Sequence, residues 1–426
     1  MVFSELMVFS EVVVTGIGIV CPLGFELRTI WEAVLRGRCG IRPISAFEAA
    51  GLPTDVAGEI VDFDPVGLVR PRKAAKLMCR DSQLAVAASL LAFEAAGFSS
   101  TGADPDRIGV VLGADRIGGS LAASEGPYRV CYEGGRFQQA LWGTKGLAES
   151  PPLEFLKTLP NMVSAHVSIA CDARGPNNTI HHGDISGHLA IAEAVRILRQ
   201  GRADVVLAGG TSARIRPYDW VGLCRTADLA SSKGKLPEEI CRPFDRLRSG
   251  QVIGEGACVL VLERREDAER RGATIQGRLL ATAAAFAPPE DWPPRLPSLE
   301  RVIQLTLQRT GRDNRDIAFG IAHGLSTVRD DIREAQTWHR LMPALPLCGL
   351  KSFFGNLGAA GGALEAALAI KSLAEGWLPA TLNYELPDPD CPVAVSRSAR
   401  PVDGPAAVVA GFTKAGQATA ILMARA

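Results

Sequence analysis

The sequence predicts an α/β protein built of two related halves, residues 1–265 and 266–426. Three observations predict it. Strand-like and helix-like segments alternate along the whole chain. The clearest strands are runs of Val, Ile and Leu that end at Gly, as expected for strands of a mostly parallel sheet covered on both faces. Each half also closes on two adjacent strands, 252–263 with 275–282 and 393–396 with 406–425, although no residue-level repeat accompanies the similarity.

In chain order, residues 12–16 (VVVTG), 108–113 (IGVVLG), 205–210 (VVLAGG) and 258–263 (CVLVLE) read as buried strands. Ala-rich stretches at 82–97, 187–201 and 361–376 separate or follow them and read as helices. Residues 317–322 (IAFGIA) form a further apolar run. The Pro-rich stretch 284–298 reads as a surface loop shortly after the joint between the halves. MVFSE occurs at 1–5 and again at 7–11, a short duplication or an alternative start to which no function is assigned.

Composition narrows the function classes. The chain has 426 residues, with 46 Lys+Arg balanced by 46 Asp+Glu. It therefore carries no electrostatic footprint for nucleic acid or for anionic lipid. The ten cysteines are scattered, without a CxxC pair or a Cys/His cluster at zinc spacing. No signal-peptide pattern opens the chain and no run reaches the ~18 apolar residues of a membrane span, so a cytoplasmic protein is expected. His181 and His182 are adjacent, and neighbours on a strand point to opposite faces, so no metal site is expected with Asp184. Gly118-Gly119 and Gly134-Gly135 lie outside any GxGxxG pattern, so no dinucleotide cofactor is expected. Asp115 and Arg116, just past a strand, receive no role.

From Arg242 the chain reads RPFDRLRSGQVIGEGA. This resembles the RPFDxxRxGFVxGEGAG signature of the β-ketoacyl-acyl-carrier-protein synthases, or ketosynthases, of the thiolase superfamily. Further segments extend the resemblance over nearly the whole chain. VTGIGIVCPLG at 14–24 is similar to the opening VTGxGxVxPLG, and GPNNTI at 175–180 to the strand before the nucleophile. ADVVLAGGT at 203–211 resembles ADxxLAGGTE, AHGLST at 322–327 resembles AHGTST, and KSFFGNLGAAG at 351–361 resembles KSxxGHxxGAAG. The resemblance implies a thiolase-like fold, with N- and C-terminal ketosynthase-like halves in an αβαβα layering.

A condensing enzyme loads an acyl group onto a cysteine at a helix N-terminus, where the dipole and backbone N–H groups lower the thiol pKa and hold an oxyanion. In the family that segment reads TACASG. Here it reads HGDISG at 182–187, which puts Asp184 at the cysteine position. A carboxylate is a weak nucleophile toward thioesters and would form an anhydride, so acyl storage is expected to fail. Two readings of Asp184 stand: a base, or a group orienting a substrate amine or water, on one side; a helix N-cap filling a retired site on the other.

The resemblance assigns the other positions. His323 matches the first family histidine; Leu325 replaces a threonine, while Thr327 remains near the substrate. Lys351 and Glu365 match a buried Lys–Glu pair, which needs each partner because an isolated buried charge is costly. Glu334 matches an acid trailing the AHGTST loop. Asn356 replaces the second histidine, and an amide can donate to a carbonyl but cannot carry a proton between steps; the other reading is a plain loop amide. In GFTKAGQA at 411–418, counting from Phe412 places Lys414 at the family's gating Phe. An Asp184–Lys414 ion pair plugging the nucleophile pocket is expected, against an exposed Lys on a rearranged loop.

Loss of Cys, second His and gating Phe implies a non-condensing partner, like the chain-length-factor subunits that pair with a ketosynthase and shape its acyl tunnel. The alternative is an enzyme with altered chemistry: a decarboxylase, hydrolase or acyltransferase acting on an acyl-carrier-protein or CoA thioester. A third reading, a displaced nucleophile at Ser186 or Cys171, places neither residue well. The resemblance further implies a homodimer, or a heterodimer with an active ketosynthase.

Overall fold

The computed structural model describes residues 10–69, 72–98, 103–115, 118, 121–288 and 295–426. Most of the MVFSE repeat and Arg116 lie outside them. Ten strands form one sheet. In the first half they are β1 (Val12–Val20), β2 (Ile108–Ala114), β3 (Asn177–Ile180), β4 (Val205–Ser212) and β5 (Gly256–Arg264). In the second half they are β6 (Gly277–Phe286), β7 (Ile317–Ile321), β8 (Leu347–Cys348), β9 (Ala406–Phe412) and β10 (Gln417–Ala424).

The strand order is β8-β7-β9-β10-β6-β1-β5-β4-β2-β3. Each half therefore repeats one pattern: three antiparallel strands at the centre, then two added in parallel toward the edge. Among the described residues, the two strand patterns pair with each other where Val12–Val14 meet residues 277–279. Strands β1, β2, β4 and β9 are buried along their whole length, which is why they read as unbroken apolar runs rather than alternating ones.

Six helices complete the layers. Helices α1 (Arg80–Ala95) and α2 (Met162–Cys171) cover the outer face of the first half. Helices α4 (Pro297–Thr310) and α5 (Val328–Leu341) lie on the second-half side, α4 directly against the sheet. Between the halves lie α3 (Ser186–Arg199) and α6 (Gly361–Glu375), whose apolar residues join strands of both halves in the largest core cluster. Helix α6 is buried nearly all round, as a middle-layer helix must be. The result is the expected αβαβα layering.

Close backbone approach in this layer depends on glycine. A Cβ on Gly210 of β4 would lie 2.1 Å from the Ala359 carbonyl oxygen, so the GGT of the strand admits the turn leading into α6.

Two expected elements differ. Residues 393–396 form no strand and add a single bridge, Leu347 with Val395, at the sheet edge. Val393 N donates locally to the Cys391 carbonyl and Val395 N to that of Val393, while Ser396 N reaches the Leu347 carbonyl. The Pro-rich stretch is shorter than read: 284–286 belong to β6, Pro297 opens α4, and 289–294 lie outside the described residues.

The RPFD segment is a brace between the halves. Arg248 donates to the carbonyls of Thr327 and Val328 and pairs with Asp388 at 2.6 Å. Asp245 accepts the N–H groups of Leu247, Glu385 and Leu386. Phe244, at φ 63°, donates its N–H to Asp331. Ser326 accepts the Arg242 N–H. These bonds hold the loop after β7, which carries His323.

Candidate active-site pocket

The expected site residues collect where the parallel strands of both halves end, the usual place for ligands in α/β sheets. The turn Gly183–Ile185 between β3 and α3 supplies Asp184, and the loop after β7 supplies His323. A short helix, Lys351–Phe354, supplies Lys351 and leads to Asn356. Strand β9 ends at Phe412.

His323 is buried and held on every side. Glu334 accepts the N–H groups of His323 (2.7 Å) and Gly324 (2.8 Å) and the indole N–H of Trp338. Lys351 spends its three donors on Glu365 (2.6 Å), the His323 carbonyl (2.7 Å) and His323 Nδ1 (3.2 Å). An ammonium only donates, so Nδ1 is the acceptor and Nε2 carries the ring proton. The Phe412 ring packs on the imidazole, with centroids 4.7 Å apart. Burial, then the Lys351 charge and His188, hold the His323 pKa well below the usual imidazole value. The ring is a neutral Nε2–H donor. Burial raises Glu365 to about 7 against the opposing pull of Lys351.

Asp184 lies against this ring. Its Oδ2 accepts the Asn356 Nδ2–H at 2.8 Å and stands 3.8 Å from His323 Nε2. Its Oδ1 lies 3.7 Å from Arg214 Nη1. Asn356 is held in turn: Nδ2 also donates to Gln251 at 2.9 Å, and Oδ1 accepts the Gly358 N–H at 3.0 Å. Asp184 is not a helix cap. Helix α3 has Ile185 at its N-cap without a side-chain bond, while Ser186 Oγ accepts the His182 N–H and donates to the Gly183 carbonyl.

The expected Asp184–Lys414 ion pair does not form. Strands β9 and β10 are joined by a tight turn, with Thr413 N–H donating to the Gln417 carbonyl and Gly416 N–H to that of Thr413. Lys414 therefore projects from the hairpin tip, 48% exposed, and pairs with Asp228 at 2.7 Å. The cation beside Asp184 is Arg214. Thr327 also faces elsewhere: its hydroxyl donates to Asp330 at 3.3 Å, at the start of α5.

Arg214 and Asp115 carry no family motif that marks them as site residues. They follow β4 and β2, which run side by side in parallel with Ala114 opposite Thr211, so their placement at one sheet edge was the available signal. Arg214 is 8% exposed; it donates to the Asn356 carbonyl at 2.8 Å and lies 3.8 Å from Asp115. Asp115 accepts the Ser212 hydroxyl at 2.8 Å and the Ala359 N–H at 3.3 Å. Gly358, at φ 54°, has no room for a side chain: its Cβ would lie 2.2 Å from Asp115 Oδ2.

Chemically, the pocket offers the carboxylates of Asp184 and Asp115, the neutral N–H donor of His323, the amides of Asn356 and Gln251 and the Arg214 guanidinium, and no thiol among the groups named. Cys241 comes near, donating to the Lys351 carbonyl, but burial raises its pKa far above the ordinary thiol value. Cys171 is likewise pushed up to about 12. Among the described residues no group of His, Cys, Asp and Glu is arranged to hold a metal, and no helix is long and apolar enough to cross a membrane.

A layered α/β fold with a Lys–Glu-supported histidine at its strand ends is the arrangement expected of the ketosynthase class. The chain belongs to the β-ketoacyl synthase family: residues 9–268 match its N-terminal domain and 281–385 its C-terminal domain. The 3-oxoacyl-[acyl-carrier-protein] synthase 2 of Synechocystis sp. is 33% identical over 392 residues, 90% of each chain. The tetracenomycin polyketide synthase ketoacyl synthase alpha subunit of Streptomyces glaucescens is 32% identical over 388 residues, 90% of this chain and 89% of that one. Among solved structures, a β-ketoacyl synthase from Burkholderia phymatum superposes with TM-score 0.86 at 29% identity, over 98% of this chain and all of that one. The ishigamide ketosynthase/chain length factor superposes with TM-score 0.85 at 25% identity, over 98% and 99%. This is a ketosynthase-fold protein of fatty-acid or polyketide biosynthesis.

Proposed function

We propose that this chain is a non-condensing, chain-length-factor-like partner of an active ketosynthase. The carrying observation is the occupied nucleophile position: Asp184 is bonded to Asn356 and flanked by Arg214 where an acyl group would attach. A carboxylate there cannot form a stable thioester, and Asn356 cannot shuttle a proton. In this reading the growing chain stays on the partner's cysteine, delivered by an acyl carrier protein or CoA, and this subunit shapes the space it enters.

A cavity of about 1430 Å³ supports the reading. Its wall includes Gly118, Ile215 and Arg216, which follow Asp115 and Arg214 in the same two strand-end segments. Tyr128, Trp142 and Phe155 line it too, in a region rich in exposed apolar side chains. Such a surface suits an acyl chain, a second subunit, or both. The protein acts in the cytoplasm in this reading, as a heterodimer with the active ketosynthase.

The test is purification alone and with a ketosynthase homologue that keeps TACASG, followed by intact-mass analysis after incubation with acyl- and malonyl-carrier protein. The lone chain is expected to show no acyl adduct and no CO₂ release, and the pair to show an adduct on the homologue only. An adduct or CO₂ from the lone chain overturns the reading.

A second reading, altered thioester chemistry, is favoured by one observation: His323 Nε2–H is buried without a hydrogen-bond partner, 3.8 Å from Asp184. A carbonyl could accept that donor while Asp184 takes a proton from water. Thioester hydrolysis by the lone chain that Asp184→Asn abolishes would establish it.

A further inference from the structure

We infer that Arg214 makes position 184 an anion site, at which a cysteine introduced in place of Asp184 is held as a thiolate. The guanidinium lies between two carboxylates, 3.7 Å from Asp184 and 3.8 Å from Asp115. Both distances exceed a hydrogen bond, so charge rather than a donor–acceptor contact couples them. Its one direct bond at this site crosses to the other half of the molecule, to the Asn356 carbonyl at 2.8 Å. Arg214 Nε is buried without a hydrogen-bond partner, so the group is confined by packing more than by its own bonding.

The charges around position 184 leave Arg214 as the group that acts on it. Lys351 is paired at 2.6 Å with Glu365 and lies on the far side of His323 Nδ1. His323 and His188 are both held neutral by burial, His188 down to about 3. Asn356 and Gln251 carry no charge. Asp115 opposes Arg214, but it approaches the guanidinium at Nε whereas Asp184 faces Nη1, and it is itself engaged by Ser212 and Ala359. A nearby cation favours the ionised form of an acid, whether carboxylate or thiol.

The inference rests on position 184 being the retired acyl site, and it extends that reading: the replacement of cysteine by aspartate sits beside a charge set of Arg214 and Asp115. It also predicts that restoring a cysteine yields a reactive thiolate.

The experiment alkylates full-length Asp184→Cys with iodoacetamide from pH 5 to 10 and follows the peptide that spans position 184 by mass spectrometry. Half-exposed Cys224 in the same digest serves as the internal reference. The C–S bond forms as iodide leaves, so the rate reports the thiolate fraction. Asp184→Cys is expected to titrate at least one pH unit below the same variant carrying Arg214→Met, about a tenfold rate difference at pH 7. Arg214→Lys is expected to restore most of the difference, and Asp115→Asn to enlarge it. Circular dichroism confirms that each variant is folded. Equal titration midpoints with Arg and Met at 214 overturn the inference, as does a midpoint that Lys fails to restore. Acylation of the lone wild-type chain would overturn the non-condensing role without moving these midpoints, so the two failures are distinguishable.

Discussion

Lys351 and Glu365 show what a single buried ion pair does in this fold. The pair is only about 5% exposed, and Lys351 also fixes the His323 ring. Lys351→Met leaves Glu365 buried without its cation and is expected to cost about 3–5 kcal/mol in denaturant unfolding. Lys351→Met with Glu365→Leu should cost less than the single change, because no charge is then stranded. His188 gives a pH test. Its folded pKa is depressed to about 3, while the unfolded value is near 6.5. Its contribution is therefore present above about 6.5 and is lost as pH falls toward 3. His188→Gln should lie further below wild type in unfolding free energy at pH 7 than at pH 5; a gap that is constant with pH would contradict this. The Lys–Glu pair was legible in the sequence because each partner sits in a motif of fixed spacing. Arg214 was not, because nothing in the residues after AGGT states which buried acid they will meet.

At the scale of elements, the errors of the sequence reading come from turns. Counting from Phe412 to place Lys414 assumes a loop; the β9–β10 connection is a four-residue hairpin tip that turns the side chain outward. An exposed Lys414–Asp228 pair is worth at most about 1 kcal/mol. Lys414→Ala should therefore shift the unfolding midpoint little, whereas a loss of several kcal/mol would put this side chain inside the pocket. The turn at Gly358 makes the opposite prediction. Its φ of 54° and the contact of an added Cβ with Asp115 should make Gly358→Ala destabilising by about 1–3 kcal/mol or more, read as a lowered Tm. Long apolar strands and Ala-rich helices were legible almost to their ends, since burial on both faces leaves a strong compositional trace. The 393–396 segment misled because two Val residues flank an Ala in a stretch where the Val393 and Val395 N–H groups close local turns and pairing stops at a single bridge to Leu347.

Across the whole molecule, the site exists only where the halves meet. Asp115, Asp184 and Arg214 come from strand ends of the first half, and His323, Lys351 and Asn356 from matching ends of the second. The sequence showed two related halves through their alternating elements, but not that one half would supply a carboxylate-and-guanidinium set and the other the histidine with its lysine. The narrow seam between them, three residues of β1 against three of β6, has a consequence for synthesis. All five strands of the first half are synthesised before Gly277, so that half can assemble on the nascent chain while the second is still being made. Until Gly361–Glu375 follows, the inner face of α3, with Ile191, Ala194 and Leu198, has no cover. Translational pausing or truncation between these points would expose an adhesive intermediate, and chaperone capture should peak there.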